Sequence, residues 1–185
     1  MRTLVCMLTL LALMLAGTVS AQDTERKLTK KEKKALAARV DSLQFVSAEQ
    51  AINEKAFVLE ADRVVFKRGE NAYVNSNTNF VSIENDKAVV QVAFNIPSAG
   101  PNGVGGVTVE GGFSKYDVKK TKRGDIVLSM AVMGTGISAT VDITLYEGSN
   151  KATVNILPNL NSNRITLEGR ILPLSQSRVF KGRSL

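Results

Sequence analysis

Apolar positions follow a helical period in the first third of the chain and a period of two thereafter. Thr29-Lys30-Lys31-Glu32 has the form of a capping box, in which a hydroxyl and a carboxylate satisfy each other's free backbone N–H groups. Leu36, Val40 and Leu43 follow at i, i+4 and i+7, the spacing of one apolar stripe. Phe45, Ala48 and Ile52 keep the helical spacing but, at 100° per residue, project from roughly the opposite side. The pattern predicts one helix to about Asn53, either kinked near Ser42 or covered on a different face in its second half. Its Lys-rich first turns suit the positive end of a helix dipole poorly, and that end is expected to fray.

From Phe57 onward alternation predicts strands. Phe57 to Asp62 alternates, with Arg63 to Phe66 as an extension, and Phe80 to Glu84 and Ala88 to Ile96 flank the hairpin turn Asn85-Asp86. Val107 to Val118, Ile126 to Met133, Ile137 to Tyr146, Ala152 to Leu157 and Ile165 to Leu172 follow, separated by short turns. All four prolines (97, 101, 158 and 173) fall in proposed connections, where a missing N–H does least harm. The expected fold is mainly β: an antiparallel meander of about eight strands, barrel-like or in two layers, with one N-terminal α-helix over an open face or end.

The first residues are set apart from this domain. A positive Met1-Arg2-Thr3, a 13-residue apolar run from Leu4 to Ala16 and Val19-Ser20-Ala21 read as a signal peptide over 1–21, with Gln22 as the mature N-terminus. That run rises only about 20 Å as a helix, short of the roughly 30 Å hydrocarbon core. Residues 22–29 are then a flexible N-terminus, 30–175 one helix-plus-β domain and 176–185 a basic C-terminal tail. The lone Cys6 leaves with the signal, and the mature chain has neither Cys nor a second membrane segment. The expected localisation is export, to the periplasm or cell envelope.

Charge sharpens this division. Of the formal +7, residues 22–39 and 164–185 each hold +4, whereas 40–163 are net −2. Basic residues at the two ends, without interleaved aromatics across the fold, argue against a nucleic-acid partner. They suit contact with anionic envelope surfaces, beside the simpler reading of a solvated helix face and a frayed tail. The absence of His removes imidazole general bases, His-centred triads and the usual zinc or iron ligand sets.

The runs Phe57-Val58-Leu59-Glu60-Ala61-Asp62, Asn79-Phe80-Val81-Ser82 and Gly103 to Gly111 resemble an uncharacterised domain-of-unknown-function family of exported proteins from Bacteroidetes bacteria. The likeness covers roughly residues 30 to 175. It implies an exported helix-plus-β domain and brings no activity, cofactor or catalytic residue.

Three motifs invite sharper functions. The loop Pro97 to Gly106 holds four glycines, but a phosphate loop needs a helix after it and normally a Lys-Ser/Thr pair. As a flexible rim it would flank a ligand opening if the sheet closes. Arg123-Gly124-Asp125 is an integrin-type tripeptide in a turn position, where ordinary turn chemistry explains it as well. Thr108-Val109-Glu110-Gly111 and Thr166-Leu167-Glu168-Gly169 are similar tetrapeptides, and Glu110 and Glu168 would form a glycosidase-like acid and base if their strands met. Two functions follow from these residues. The first is a non-catalytic exported domain that binds a small apolar or envelope ligand or a partner protein. The second is a carboxylate-dependent hydrolase acting on glycans. No catalytic or metal-ligating residue and no cofactor is assigned.

Overall fold

A computed structural model describes residues 27–93, 106–134, 137–159 and 164–184. The signal peptide expected over 1–21 lies outside the described residues, as do residues 22–26 and all of the glycine-rich connection except Gly106. The chain divides into two units, Met1–Lys33 and Lys34–Leu185. In the first, the capping box forms as its residue types dictate: Thr29 N–H donates to Glu32 Oε2 (2.8 Å) and Glu32 N–H to Thr29 Oγ1 (3.2 Å). The bond from Thr29 N–H, with a further one from the Thr29 hydroxyl, holds the Glu32 carboxyl below the usual carboxylate range.

The capping box opens helix α1, Lys30–Asn53. Nine strands follow: β1 Ala56–Phe66, β2 Asn71–Tyr73, β3 Phe80–Glu84, β4 Lys87–Ala93, β5 Gly106–Lys120, β6 Ile126–Gly134, β7 Ile137–Leu145, β8 Lys151–Pro158 and β9 Ile165–Pro173. All pair antiparallel in the order β1-β3-β4-β5-β6-β7-β8-β9, and β9 pairs back onto β1 from Phe57↔Pro173 to Phe66↔Ile165. The sheet is therefore a closed eight-stranded barrel, which leaves no long edge to aggregate. The extra strand β2 was not legible as a strand. It continues the line of β3 along the far half of β1, with Arg63 opposite Tyr73, while Ala56 to Glu60 pair with β3.

Closure requires strands to bend, and the sequence supplies the means. Register shifts occur between Ala61 and Arg63 on β1 and between Ser114 and Asp117 on β5, where Lys115 adopts a left-handed φ of 57°. At Gly111 a Cβ would collide with the Met133 carbonyl of β6, and at Gly169 with the Glu60 carbonyl of β1. The two Thr-x-Glu-Gly tetrapeptides thus share a structural cause: each places a glycine where the next strand's backbone crowds in.

The helix runs to Asn53 and is covered on the face of its second half, one of the two expected arrangements. The stripe Leu36, Val40 and Leu43 is exposed, Leu43 at 71%, whereas Phe45, Ala48, Ala51 and Ile52 are buried. The second half of α1 is the part that packs, closing the barrel end formed by the start of β1 and the end of β5. There the Ile52 carbonyl at the C-terminus of α1 accepts both from Lys55 N–H (3.1 Å) and from Tyr116 Oη (2.6 Å), and burial pushes the Tyr116 hydroxyl above the usual phenol range. Lys55 stacks its ammonium over the Phe113 and Tyr116 rings, and Lys120 bonds Glu49 (3.0 Å) across the Phe45 ring. No helix among the described residues is long and apolar enough to cross a membrane.

The tail is not frayed. After a 3-10 turn at Leu174–Gln176 it runs over the outer face of β3, β4 and β5. Gln91 is completely buried beneath it and uses its full amide capacity. Its Nε2 donates to the Thr78 and Phe180 carbonyls (3.0 and 2.8 Å), and its Oε1 accepts from Thr108 Oγ1 and Gly182 N–H (both 2.8 Å). Phe180 N–H adds a bond to the Asn77 carbonyl (2.8 Å), and Ser177 Oγ donates to Glu60 (2.7 Å).

Candidate binding site at the open end of the barrel

Alternation decides which side chains fill the barrel. Phe57 and Leu59 of β1, Leu128 and Met130 of β6 and Ile143 and Leu145 of β7 point inward and are buried. With Phe45 and Ile52 of α1 beside them, the end plugged by the helix is filled by long or aromatic side chains. Toward the other end the inward positions become short. Val90 and Val92 of β4, Val107 and Val109 of β5 and Val132 of β6 form one wall. Ala139, Ile156 and Ile165 complete the lining, with Pro158 at the edge. These mostly short side chains from six of the eight strands do not meet at the axis, and a cavity of about 220 Å³ remains among them. Its lining is apolar throughout. Val107 is 40% exposed, so among the described residues the cavity opens at this end.

Phe66 and Ile165, paired across β1 and β9, form the lip on one side. Beyond them lies a second, shallower hollow lined by Phe66, Lys67, Arg68, Glu70, Arg164 and Ile165. The turn that carries Lys67 and Arg68 is closed by bonds from Phe66 N–H to the Glu70 carbonyl (2.8 Å) and from Gly69 N–H to the Phe66 carbonyl (2.9 Å). Gly69 has φ +93°, a conformation that favours glycine.

The two carboxylates proposed as acid and base are not brought together. Glu110 on β5 and Glu168 on β9 lie four strands apart around the ring, on opposite walls of the barrel. Each follows an inward residue, Val109 and Leu167, so both project outward. Glu110 accepts from Lys181 Nζ (2.7 Å), and this bond holds its carboxyl below the usual range, the wrong direction for a general acid. Glu168 pairs with Arg63. No group of three or more His, Cys, Asp or Glu residues among the described residues is placed to hold a metal ion.

In the Arg123-Gly124-Asp125 turn, Thr121 Oγ1 accepts from Arg123 and Asp125 N–H (3.3 and 3.1 Å), and Asp125 Oδ1 accepts from Glu147 N–H (2.9 Å). The Asp125 carboxylate thus ties two turns together. The mouth residues Lys67, Arg68 and Arg164 and the buried Gln91 were not singled out by sequence. The valines read there only as strand core, and their small size at one end was the available signal.

Residues 39–171 match the family model described as a domain of unknown function, DUF4251. Among solved structures, the chain is similar to a DUF4251 family protein from Bacteroides eggerthii DSM 20697, known from a crystal structure. The two are 49% identical, with a TM-score of 0.68, over 80% of this chain and 99% of the other. No curated protein matches.

Proposed function

The chain belongs to the DUF4251 family of domains of unknown function, and we propose that its barrel is a non-catalytic binding domain for a small apolar ligand, exported to the periplasm or cell envelope. The observation that carries this reading is the apolar cavity at the barrel end that α1 does not plug. At about 220 Å³ it exceeds the roughly 150 Å³ in which an apolar protein cavity takes up benzene. Water gains little there, because a buried water wants two to four polar partners and the lining offers none. An apolar guest restores the dispersion contacts that the short valines leave unmade.

Support for export comes from the leader-like residues 1–21, and the basic C-terminal segment suits contact with anionic envelope surfaces. A glycan hydrolase lacks support, since its two carboxylates face outward on opposite walls. Native mass spectrometry of the protein purified from whole cells of its own organism tests both parts of the reading. The expected species is a chain beginning at Gln22 that carries a small molecule released on unfolding. A chain still beginning at Met1 contradicts export. A ligand-free protein that also fails to take up 1-octanol contradicts the binding function.

A further inference from the structure

We infer that the ligand is an anionic amphiphile of medium chain length, with its tail in the valine cavity and its head group against Arg68, Arg164 and Lys67. This rests on the reading of the barrel as an apolar binding domain and adds the class of ligand to it. The cavity by itself selects only for greasiness. Ligand sites add a few polar groups that fix orientation, and here such groups occur just outside the lip. Ile165 lines both the cavity and the hollow that holds Lys67, Arg68, Glu70 and Arg164, so the two adjoin.

The charge there is one-sided. The segments joining β4 to β5, β6 to β7 and β8 to β9 contain no charged residue except Arg164. The β1–β2 turn contributes Lys67 and Arg68 against Glu70. Three cations and one carboxylate therefore line the hollow. The turn is closed by its two backbone bonds and Arg164 directly precedes β9, so both basic elements are anchored to the barrel wall. Arginine presents a planar fork that matches carboxylate or phosphate oxygens in pairs.

Cavity size sets the tail. Benzene, with six carbons, occupies a cavity of about 150 Å³, and scaling to this one gives roughly nine carbons. The geometry thus suits an alkyl chain of about six to nine carbons ending in a carboxylate or phosphate.

Calorimetric titration of the whole chain at low salt with octanoate, octyl phosphate, 1-octanol and octylammonium is the test. An anionic head is expected to bind about tenfold more tightly than 1-octanol, and octylammonium more weakly than either. Arg68→Gln combined with Arg164→Gln should bring the anionic ligands down to the affinity of 1-octanol while leaving 1-octanol itself unchanged, which also shows that the variant is folded. Octanoate or octyl phosphate as the tighter of the two identifies the head group, and either result supports the inference. Equal binding of all four overturns it and leaves the apolar binding function standing. Binding of none overturns that function too.

Discussion

Gln91 is the polar side chain on which the C-terminal segment depends most. Replacing it with Ala removes four hydrogen bonds at once, one to Thr78 in the turn before β3, one to Thr108 on β5 and two to the tail at Phe180 and Gly182. When the tail detaches, its own groups regain water, so their loss costs little beyond the bonds themselves. The groups left on the wall stay shielded for longer and carry more of the penalty. At a net worth of about 1 kcal/mol for each bond, partly recovered by rehydration, the expected destabilisation is about 3 kcal/mol. For a chain of this size that lowers Tm by roughly 6–12 °C. Urea unfolding measures the stability, and amide hydrogen exchange at Phe180 and Gly182 reports the detachment. Gln91→Glu keeps the shape but turns a carboxylate toward two carbonyl oxygens. Its native-state pKa must rise, so stability is low at neutral pH and recovers as pH falls and the carboxyl takes up a proton. A loss below about 1 kcal/mol with unchanged exchange at Phe180 and Gly182 would refute the role given to Gln91.

Other substitutions probe the remaining parts of the structure. Gly169→Ala drives a Cβ into the Glu60 carbonyl at the seam where β9 closes on β1, and a loss of about 2 kcal/mol or more is expected in urea unfolding. Tyr116→Phe removes the bond to the Ile52 carbonyl and should cost about 1 kcal/mol near neutral pH. Because the Tyr116 hydroxyl titrates higher in the folded chain than in the unfolded one, its contribution is complete below about pH 10 and is lost as pH rises beyond that. The Tyr116→Phe chain should show a shallower alkaline decline, and identical declines would contradict the buried hydroxyl. Val132→Phe places a ring in the cavity; thermal melting should show little loss of stability, and uptake of 1-octanol should disappear.

Much of the fold is legible in local pattern, because alternation at Phe57 to Asp62 or Ile126 to Met133 encodes a strand whatever lies around it. What pattern could not convey is which neighbours cover a given face. Leu36, Val40 and Leu43 form a better stripe than Phe45, Ala48 and Ile52, yet only the second set meets the barrel end. Gln91 sits on the outward face of β4 and reads as a solvated residue. It is buried because a segment almost 90 residues later lies across it. The apolar residues Val58 and Phe80, outward-facing yet buried, were the available hint that this wall is covered. Strand β2 has only three residues and no clear alternation, and its partner Arg63 lies past a bulge. The repeated Thr-x-Glu-Gly drew attention to its glutamates, whereas the structure assigns its meaning to the glycines.

The site followed the same rule. A glycine-rich loop beside an opening is what the sequence leads one to expect if the sheet closes, but the cavity depends on the size of inward residues at one end of six strands, β4 to β9. Only the closing register, Phe66 with Ile165, puts Arg164 beside Lys67 and Arg68.

The most direct test of the central claim is a methyl-resolved NMR titration of the whole chain with 1-octanol. Saturable shifts are expected at Val90, Val92, Val107, Val109 and Val132, with Leu128, Ile143 and Leu145 at the filled end unmoved. Shifts that never saturate, or that fall at the filled end and spare the five valines, would contradict a ligand site at the barrel mouth.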